Sequence, residues 1–195
     1  MYIQKKSSNG IILVPLDTSL MAERKVFIEG EINQETADNF VKKIIFLSLD
    51  EPHKPIDVII DSPGGEVNPG MLMYDCIQSC KTAIRLYCMG KAYSMAALIF
   101  ACGNHGRYIL PHSELMLHEP LLGSKVSGNA SSIRSISDSL METRQRMNHL
   151  LAKHTGKSEK ELEEATSYDH YFSAQESIDF GLADKVIGFE KLLEE

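Results

Sequence analysis

Short apolar runs alternate with longer amphipathic stretches along most of this chain, and this alternation limits the folds open to it. Five runs have the length and composition of strands, namely residues 25–28, 56–60, 83–89, 107–110 and 114–117. The stretches between them repeat apolar residues at intervals of three and four, as helices do. Strands that alternate with helices predict an α/β fold in which the helices pack on a largely parallel sheet.

The helical stretches have recognisable ends. Helices are predicted over 34–49, 70–80, from near 94 to a stop at Gly103, and over 130–153, where Thr155-Gly156 follows. The helix after residue 94 is apolar on all sides, so it should be buried. Two short helices should begin at the capping boxes of residues 158–161 and 173–176.

Composition excludes several classes of function. The chain has 195 residues, 43% of them hydrophobic and 24% charged, with a net charge of −7, which predicts one globular domain over 1–195. No basic block indicates a nucleic-acid partner, and no apolar run reaches the ~18 residues of a membrane span. Without a signal-type segment at the start, we expect a cytoplasmic protein. The four cysteines form no Cys-x-x-Cys pair, so we expect reduced, packed thiols and no metal.

A proline and two glycines follow the second predicted strand. The run Asp61-Ser62-Pro63-Gly64-Gly65 leads into a predicted helix, a position where backbone amides often bind an anion or polarise a carbonyl group. The same run is more often only a tight turn. No Gly-Lys-Ser/Thr follows it, so it is not a phosphate-binding loop.

Ser94 lies where the third predicted strand meets a helix. Its hydroxyl and the amide of Met95 are expected at the mouth of the sheet, near a helix N-terminus that stabilises negative charge. Taken alone, Ser94 is better explained as an ordinary N-cap residue. The residues around it lack the Gly-x-Ser-x-Gly spacing of the α/β-hydrolases.

Two further residues are candidates for a nucleophilic site. His118 ends an apolar strand, whereas the other histidines fall in polar turns or on helix faces and form no metal-binding pattern. Asp169 precedes a predicted helix and could orient a histidine, although a solvated turn aspartate is the default. Acyl transfer needs a nucleophile, a base, an acid that holds the base and two amide donors. The chain offers one candidate for each role.

These motifs together resemble the proteolytic subunit of the Clp protease, the ClpP family of self-compartmentalised serine peptidases. The resemblance runs from about residue 23 to 187. The matching segments are 61–65, 70, 74–75, 88–97, 116–121, 146–148, 154–156, 169 and 172–184. Several motifs in the family's order make chance a poor explanation.

The resemblance implies a role for each candidate residue. Ser94 would be the nucleophile, His118 the general base and then the general acid, and Asp169 the carboxylate that fixes the tautomer of His118. The amides of Gly65 and Met95 would form the oxyanion hole.

The resemblance also implies where substrate binds. Segments near 65–69 and 121–127 would pair with an extended polypeptide backbone. The substrate-binding residues named on this basis are Gly64, Val67, Leu121 and Gly123. No cofactor and no metal are implied.

The implied architecture is the ClpP/crotonase-like fold of stacked ββα units with a protruding handle, a strand plus a long helix, over 121–154. Residues 1–22 would be an axial segment, a candidate for mobility. Two heptameric rings would stack through the handles into a homo-oligomer, alone or mixed with a second ClpP paralogue. A Clp-family ATPase unfoldase would supply folded polypeptides, because this chain has no Walker A motif.

The chain departs from the family pattern at several places. Glu119 stands where glutamine usually follows the histidine, and Tyr168 stands where arginine usually precedes the aspartate. The handle is slightly longer around 124–129, and the start of the chain differs from the pore-loop pattern. Alternatives are therefore a non-catalytic or partner-dependent paralogue in a mixed ring, a phage-type maturation protease, or a crotonase-type acyl-CoA enzyme.

Overall fold

A computed structural model describes residues 1–7, 10–123 and 127–193. Within these residues the predicted α/β architecture is confirmed. The strands are Tyr2–Ser7 (β1), Gly10–Pro15 (β2), Lys25–Ile32 (β3), Ile56–Gly65 (β4), Ile84–Tyr93 (β5), Arg107–Ile109 (β6), Glu114–Leu117 (β7), His170–Phe172 (β8) and Lys185–Val186 (β9). The helices are Leu16–Ala22 (α1), Gln34–Asp50 (α2), Val67–Ser79 (α3), Met95–Ala101 (α4), Ala130–Thr155 (α5), Glu159–Thr166 (α6) and Ala174–Phe180 (α7), with a short 3-10 helix at Phe189–Leu192.

The main sheet is built around the long strand β5. Its order is β3-β4-β5-β6-β9, and all of these neighbours are parallel. The first part of β5 pairs with β6, whereas its last three residues pair with β7, which in turn pairs antiparallel with β8. The carboxyl ends of β5 and β7 therefore lie side by side, which brings the residues that follow them together.

Helix α4 lies at the centre of the core. All seven of its residues are buried, as its uniformly apolar sequence predicts. It packs on β4 and β5 and also touches α3 and α5. The segment that begins at Ser94 is therefore held by the best-packed part of the protein.

The predicted helix ends are largely correct. Ser158 and Ser173 open α6 and α7 through capping boxes, each with a glutamate three residues later. Gly156 ends α5 in the left-handed conformation, with φ of 73°. Only Asn148 and Leu151 are buried in α5, near its C-terminal end. The exposed first half of this helix is typical of a protruding element. Residues 124–126 of the predicted handle lie outside the described residues.

One interpretation from the sequence is wrong. Pro63, Gly64 and Gly65 do not form a tight turn, because they continue β4, and both glycines pair with β3 at Glu31 and Ile32. Helix α3 then begins at Val67, three residues earlier than predicted. The ladder with β3 overrides the local preference of the proline and glycines for a turn.

The start of the chain contains structure that the sequence analysis does not assign. Strands β1 and β2 form an antiparallel pair, and α1 follows directly. Ile11, Ile12 and Leu13 in β2 are exposed. A strand whose apolar side chains remain in solvent lacks the in-and-out alternation by which strands are recognised.

Arg107 at the start of β6 joins the ends of three helices. Its Nη1 lies 3.2 Å from the carbonyl oxygen of Ala101, 3.2 Å from that of His154 and 2.7 Å from that of Gly181. Its Nη2 also forms an ion pair of 2.6 Å with Asp184. A cation at three helix C-termini stabilises α4, α5 and α7 at once, because each terminus carries partial negative charge.

The four cysteines are free thiols, and Cys88 and Cys102 are buried. Burial raises the pKa of both to about 12, so these two thiols are held in their inert, protonated form. In the part of the chain that the structure describes, no helix is long and apolar enough to cross a membrane.

Candidate active site

Ser94 has an unusual backbone conformation at the end of β5. Its φ of 56° and ψ of −121° lie in a region that residues with a side chain rarely adopt. The amide of Ser94 donates to the carbonyl of Met116 in β7 at 2.8 Å, and the carbonyl of Ser94 accepts from Ala97 in the first turn of α4. These two bonds fix the turn on both sides. Strain of this kind is found mainly at functional sites.

The hydroxyl of Ser94 does not cap α4. Its Oγ lies 2.7 Å from Nε2 of His118, and no side-chain hydrogen bond closes the helix N-terminus. The structure therefore contradicts the ordinary N-cap interpretation. The candidate nucleophile and the candidate base are therefore within hydrogen-bonding distance, the first geometric requirement for nucleophilic catalysis.

His118 and Asp169 complete a chain of three side chains. Nδ1 of His118 lies 3.2 Å from Oδ1 of Asp169, at the long end of hydrogen-bonding distance. The His118 side chain is 17% exposed and that of Asp169 is 60% exposed. With a proton on Nδ1 held by this carboxylate, Nε2 is free to accept a proton from the hydroxyl of Ser94.

Gly64 lies directly against the nucleophile. A Cβ added to it would be 2.5 Å from the carbonyl oxygen of Tyr93, 2.9 Å from Cβ of Ser94 and 3.1 Å from the amide nitrogen of Met95. The backbone amide of Gly64 donates a hydrogen bond to Oγ of the buried Ser62 at 3.1 Å. Only glycine permits this close approach of β4 to the turn at Ser94.

The two predicted amide donors border one cavity with the nucleophile. Gly65, Ser94, Met95 and His118 all line a cavity of about 260 Å³. A Cβ on Gly65 would be 2.2 Å from the carbonyl oxygen of Ile32, so β3 and β4 also meet too closely there for any other residue. Residues at the end of β4 and at the start of α4 therefore border the space next to the hydroxyl of Ser94.

A wider groove continues from this cavity. It has a volume of about 850 Å³, and its lining includes three of the predicted substrate-binding residues, Val67, Leu121 and Gly123. Val67 and Leu121 line the smaller cavity as well. The fourth, Gly64, is not among the lining residues of either cavity and lies beside Ser94 instead. Residues 124–126 of the predicted substrate-pairing segment are outside the described residues.

Residues of α5 close the cavity on the handle side and were not among the predicted site residues. Met147, Asn148 and Leu151 of α5 line it together with Leu98 of α4. Asn148 is 4% exposed, and its Nδ2 has no hydrogen-bond partner among the described residues. The helical period of α5 could have indicated these positions, because residues three and four apart share a face.

Tyr93, next to the nucleophile, is fixed by a carboxylate. Its hydroxyl donates to Oε1 of Glu114 at 2.5 Å, and this hydrogen bond, together with burial, raises the pKa of Tyr93 to about 12. The ring also meets that of Tyr171 edge to face. The hydroxyl therefore stays protonated at neutral pH and acts as a fixed donor that holds β5 on β7.

The two positions that depart from the resemblance have different surroundings. Tyr168 is 85% exposed. Glu119 instead contacts Arg144 on α5, with 3.0 Å between Oε2 and Nε. Among the described residues, no group of three or more histidines, cysteines and carboxylates could hold a metal ion.

Most of the chain matches a known protein family. A family model described as Clp protease matches residues 12–190. The matched region begins inside β2, ends in the last 3-10 helix and includes Ser94, His118 and Asp169.

Proposed function

The chain belongs to the Clp protease family, and from this membership we propose that it is a serine endopeptidase whose catalytic residues are Ser94, His118 and Asp169. The observation that carries the proposal is the continuous contact from the hydroxyl of Ser94 through the ring of His118 to the carboxylate of Asp169. A crotonase-type acyl-CoA enzyme would have no use for this contact.

The proposed reaction begins at the hydroxyl of Ser94. Oγ attacks the carbonyl carbon of a peptide bond while Nε2 of His118 takes the hydroxyl proton. Negative charge develops on the carbonyl oxygen, and the amides of Gly65 and Met95 would stabilise it. His118 then gives the proton to the departing amine nitrogen as the C–N bond breaks, which leaves an ester on Ser94.

Water completes the proposed cycle. It attacks the ester carbon while His118 accepts one of its protons, and the acid product leaves as that proton returns to Oγ of Ser94. Asp169 stabilises the protonated His118 in both halves of the cycle. Every proton moves between groups within the cavity, so the proposal needs no cofactor and no metal.

Substrate would lie in the groove between β4 and the handle. Val67 and Leu121 connect this groove to the cavity at Ser94. An extended polypeptide bound through its backbone at Gly64, Val67, Leu121 and Gly123 would have its scissile bond beside the nucleophile. Such binding predicts broad sequence preference and unfolded polypeptides as substrates.

The proposal extends to assembly and partners. We propose stacked heptameric rings joined through residues 121–154, with residues 1–22 at the axis, in which each subunit acts as one protease domain. A Clp-family ATPase unfoldase would deliver folded substrates. The four free thiols support a reducing compartment such as the cytoplasm.

The test is hydrolysis of a short fluorogenic peptide across a size-exclusion column, with fluorophosphonate labelling of the same fractions. We expect activity and label in a large oligomer and loss of both in Ser94→Ala. The matched control is Ser79→Ala, since Ser79 is an exposed serine at the end of α3 and should leave both unchanged. Addition of an ATPase unfoldase and ATP should extend cleavage to a folded substrate.

The alternatives predict other outcomes. No label on Ser94 in the assembled protein would overturn the serine peptidase assignment. Activity that arises only after a second ring subunit is added would instead indicate the partner-dependent paralogue.

A further inference from the structure

The residue after the proposed catalytic histidine makes a charged contact with the handle helix. Oε2 of Glu119 lies 3.0 Å from Nε of Arg144, and the two side chains are 43% and 23% exposed. Nε itself is buried and its N–H makes no hydrogen bond among the described residues. The contact is therefore an ion pair whose geometry is not that of a hydrogen bond, and Glu119 supplies the charge nearest to this buried group.

The backbone of Glu119 is held separately. Its amide donates to the carbonyl of Thr166 at 2.8 Å. Thr166 is buried at the end of α6, three residues before Asp169. One residue thus joins the segment that carries His118 to the segment that carries Asp169 through its backbone, and to α5 through its side chain.

This junction is where the sheet continues into the handle. β7 ends at Leu117, and the chain then passes through Pro120 and Leu121, which line both the cavity and the groove. A shift of this segment relative to α5 moves the ring of His118 at one end and the wall of the groove at the other. Small displacements of a catalytic group reduce rate strongly, because the reacting atoms must be aligned.

We propose that Glu119 and Arg144 form a positioning pair that sets the placement of His118 relative to α5. The inference rests on the proposed function of Ser94 and His118. It assigns no chemical step to either residue: the pair acts through the backbone next to His118, and breaking it allows the ring to leave the line between Ser94 and Asp169.

The charge of Glu119, rather than its shape, carries the effect. Glu119→Gln keeps the size of the side chain and removes the charge, whereas Arg144→Met keeps most of the apolar stem and removes the guanidinium. Each variant should lower kcat for a fluorogenic peptide and the rate of fluorophosphonate labelling by about two- to fivefold, the size expected for a partly exposed pair. The double variant should lose no more than either single one, because coupled residues are not additive.

The dependence of kcat on ionic strength distinguishes a charge effect from a merely structural role, which would not change with salt. Salt screens a partly exposed ion pair, so kcat of the unmodified protein should fall toward that of Glu119→Gln as salt rises, while the variant changes little. The matched control is Glu51→Gln, which removes an exposed ion pair with Lys54 outside the handle. It should leave kcat and its salt dependence unchanged.

A measurement without substrate separates this proposal from the proposed function. The amide of Glu119 should exchange slowly with solvent in the unmodified protein and in Glu51→Gln, and several-fold faster in Glu119→Gln, as its bond to Thr166 opens more often. Equal exchange in all three proteins, or additive kinetic losses in the double variant, would overturn the positioning pair. Absence of Ser94-dependent hydrolysis would overturn the proposed function, and the exchange measurement would still decide on the pair.

Discussion

Oγ of Ser94 and Nε2 of His118 are 2.7 Å apart although 24 residues separate them along the chain. The pairing of β7 with the last residues of β5 produces this proximity, since Tyr93 is in register with Met116. The amide of Ser94 then extends the ladder by one bond to Met116. The relative position of Ser94 and His118 is therefore set by backbone pairing.

Asp169 should matter for rate rather than for binding. We expect Asp169→Asn to lower kcat by about 10²-fold or more with little change in KM, because an amide at this position favours the wrong tautomer of His118. The measurement is steady-state hydrolysis of a fluorogenic peptide. Asp179→Asn, which changes an aspartate of α7 bonded to Gln175, should keep normal kcat. A loss confined to KM would contradict the assigned role.

Gly64→Ala should abolish peptide hydrolysis in a folded protein. The new methyl group would meet the carbonyl of Tyr93 and press on the amide of Met95, so it would distort the turn at Ser94. Gly30→Ala is a matched control, because Gly30 also has a positive φ but has open space around its Cβ position. We expect Gly30→Ala to lower the free energy of unfolding by about 1–2 kcal/mol through backbone strain alone. Its peptidase activity should be unchanged. Hydrolysis and thermal unfolding of both variants test this, and an active Gly64→Ala would show that the contact is not needed.

Arg107→Lys should destabilise the protein markedly. A lysine cannot reach three carbonyl oxygens and the carboxylate of Asp184 together, because it lacks the planar fork of the guanidinium. With the Arg107 side chain 12% exposed, we expect a loss of about 2–4 kcal/mol in the free energy of unfolding. Denaturant unfolding at one fixed protein concentration measures it. Arg134→Lys, at a side chain that is 85% exposed, should change the value by less than about 0.5 kcal/mol.

The stability of the protein should decline in mild acid in part through His154. Burial, and then the charges of Lys153 and Arg107, lower the pKa of this histidine, and its Nε2 is 2.9 Å from the hydroxyl of Tyr74. The unfolded chain therefore takes up the proton first as pH falls. The contribution of neutral His154 is complete above the unfolded pKa of about 6.5 and is lost as pH falls from there toward the lower, folded pKa.

His154→Gln removes this titration. Unfolding measured from about pH 7.5 to 5.5 should show a smaller decline for the variant than for the unmodified protein. His53→Gln, a change at an exposed turn residue, should reproduce the unmodified curve. An equally steep decline in His154→Gln would show that other groups account for the acid sensitivity.

The apolar pattern predicts those parts of the fold in which local preference and tertiary packing agree. Helix α4 is an example, because seven consecutive apolar or small residues after Ser94 permit only a buried helix. The capping boxes at Ser158 and Ser173 are another, since side chain and backbone satisfy each other within four residues. Such features depend only on residues that are close together in the chain, so the sequence is enough to predict them.

Features that depend on distant strands could not be predicted in the same way. Gly64 and Gly65 belong to a strand only because β3 lies beside them, and the exposed hairpin at the start has no apolar alternation to reveal it. For the site, individual residues gave weak signals, and the chain of contacts from Ser94 to Asp169 requires the pairing of β5, β7 and β8. The pair of Glu119 and Arg144 depends on where α5 lies relative to the segment after β7, which no periodicity specifies.

The three helix ends that meet at Arg107 bear on the order in which the chain can fold during synthesis. Two of the carbonyl oxygens around its guanidinium belong to His154 and Gly181, which follow Arg107 by 47 and 74 positions in the chain. A chain that has left the ribosome only as far as α5 has Ser94 and His118 but not the end of α7, so α4 still lacks part of its C-terminal support. The helix that follows Ser94 therefore gains its full C-terminal support only after Gly181 and Asp184 have been made, so we expect the proposed site to become competent late in synthesis.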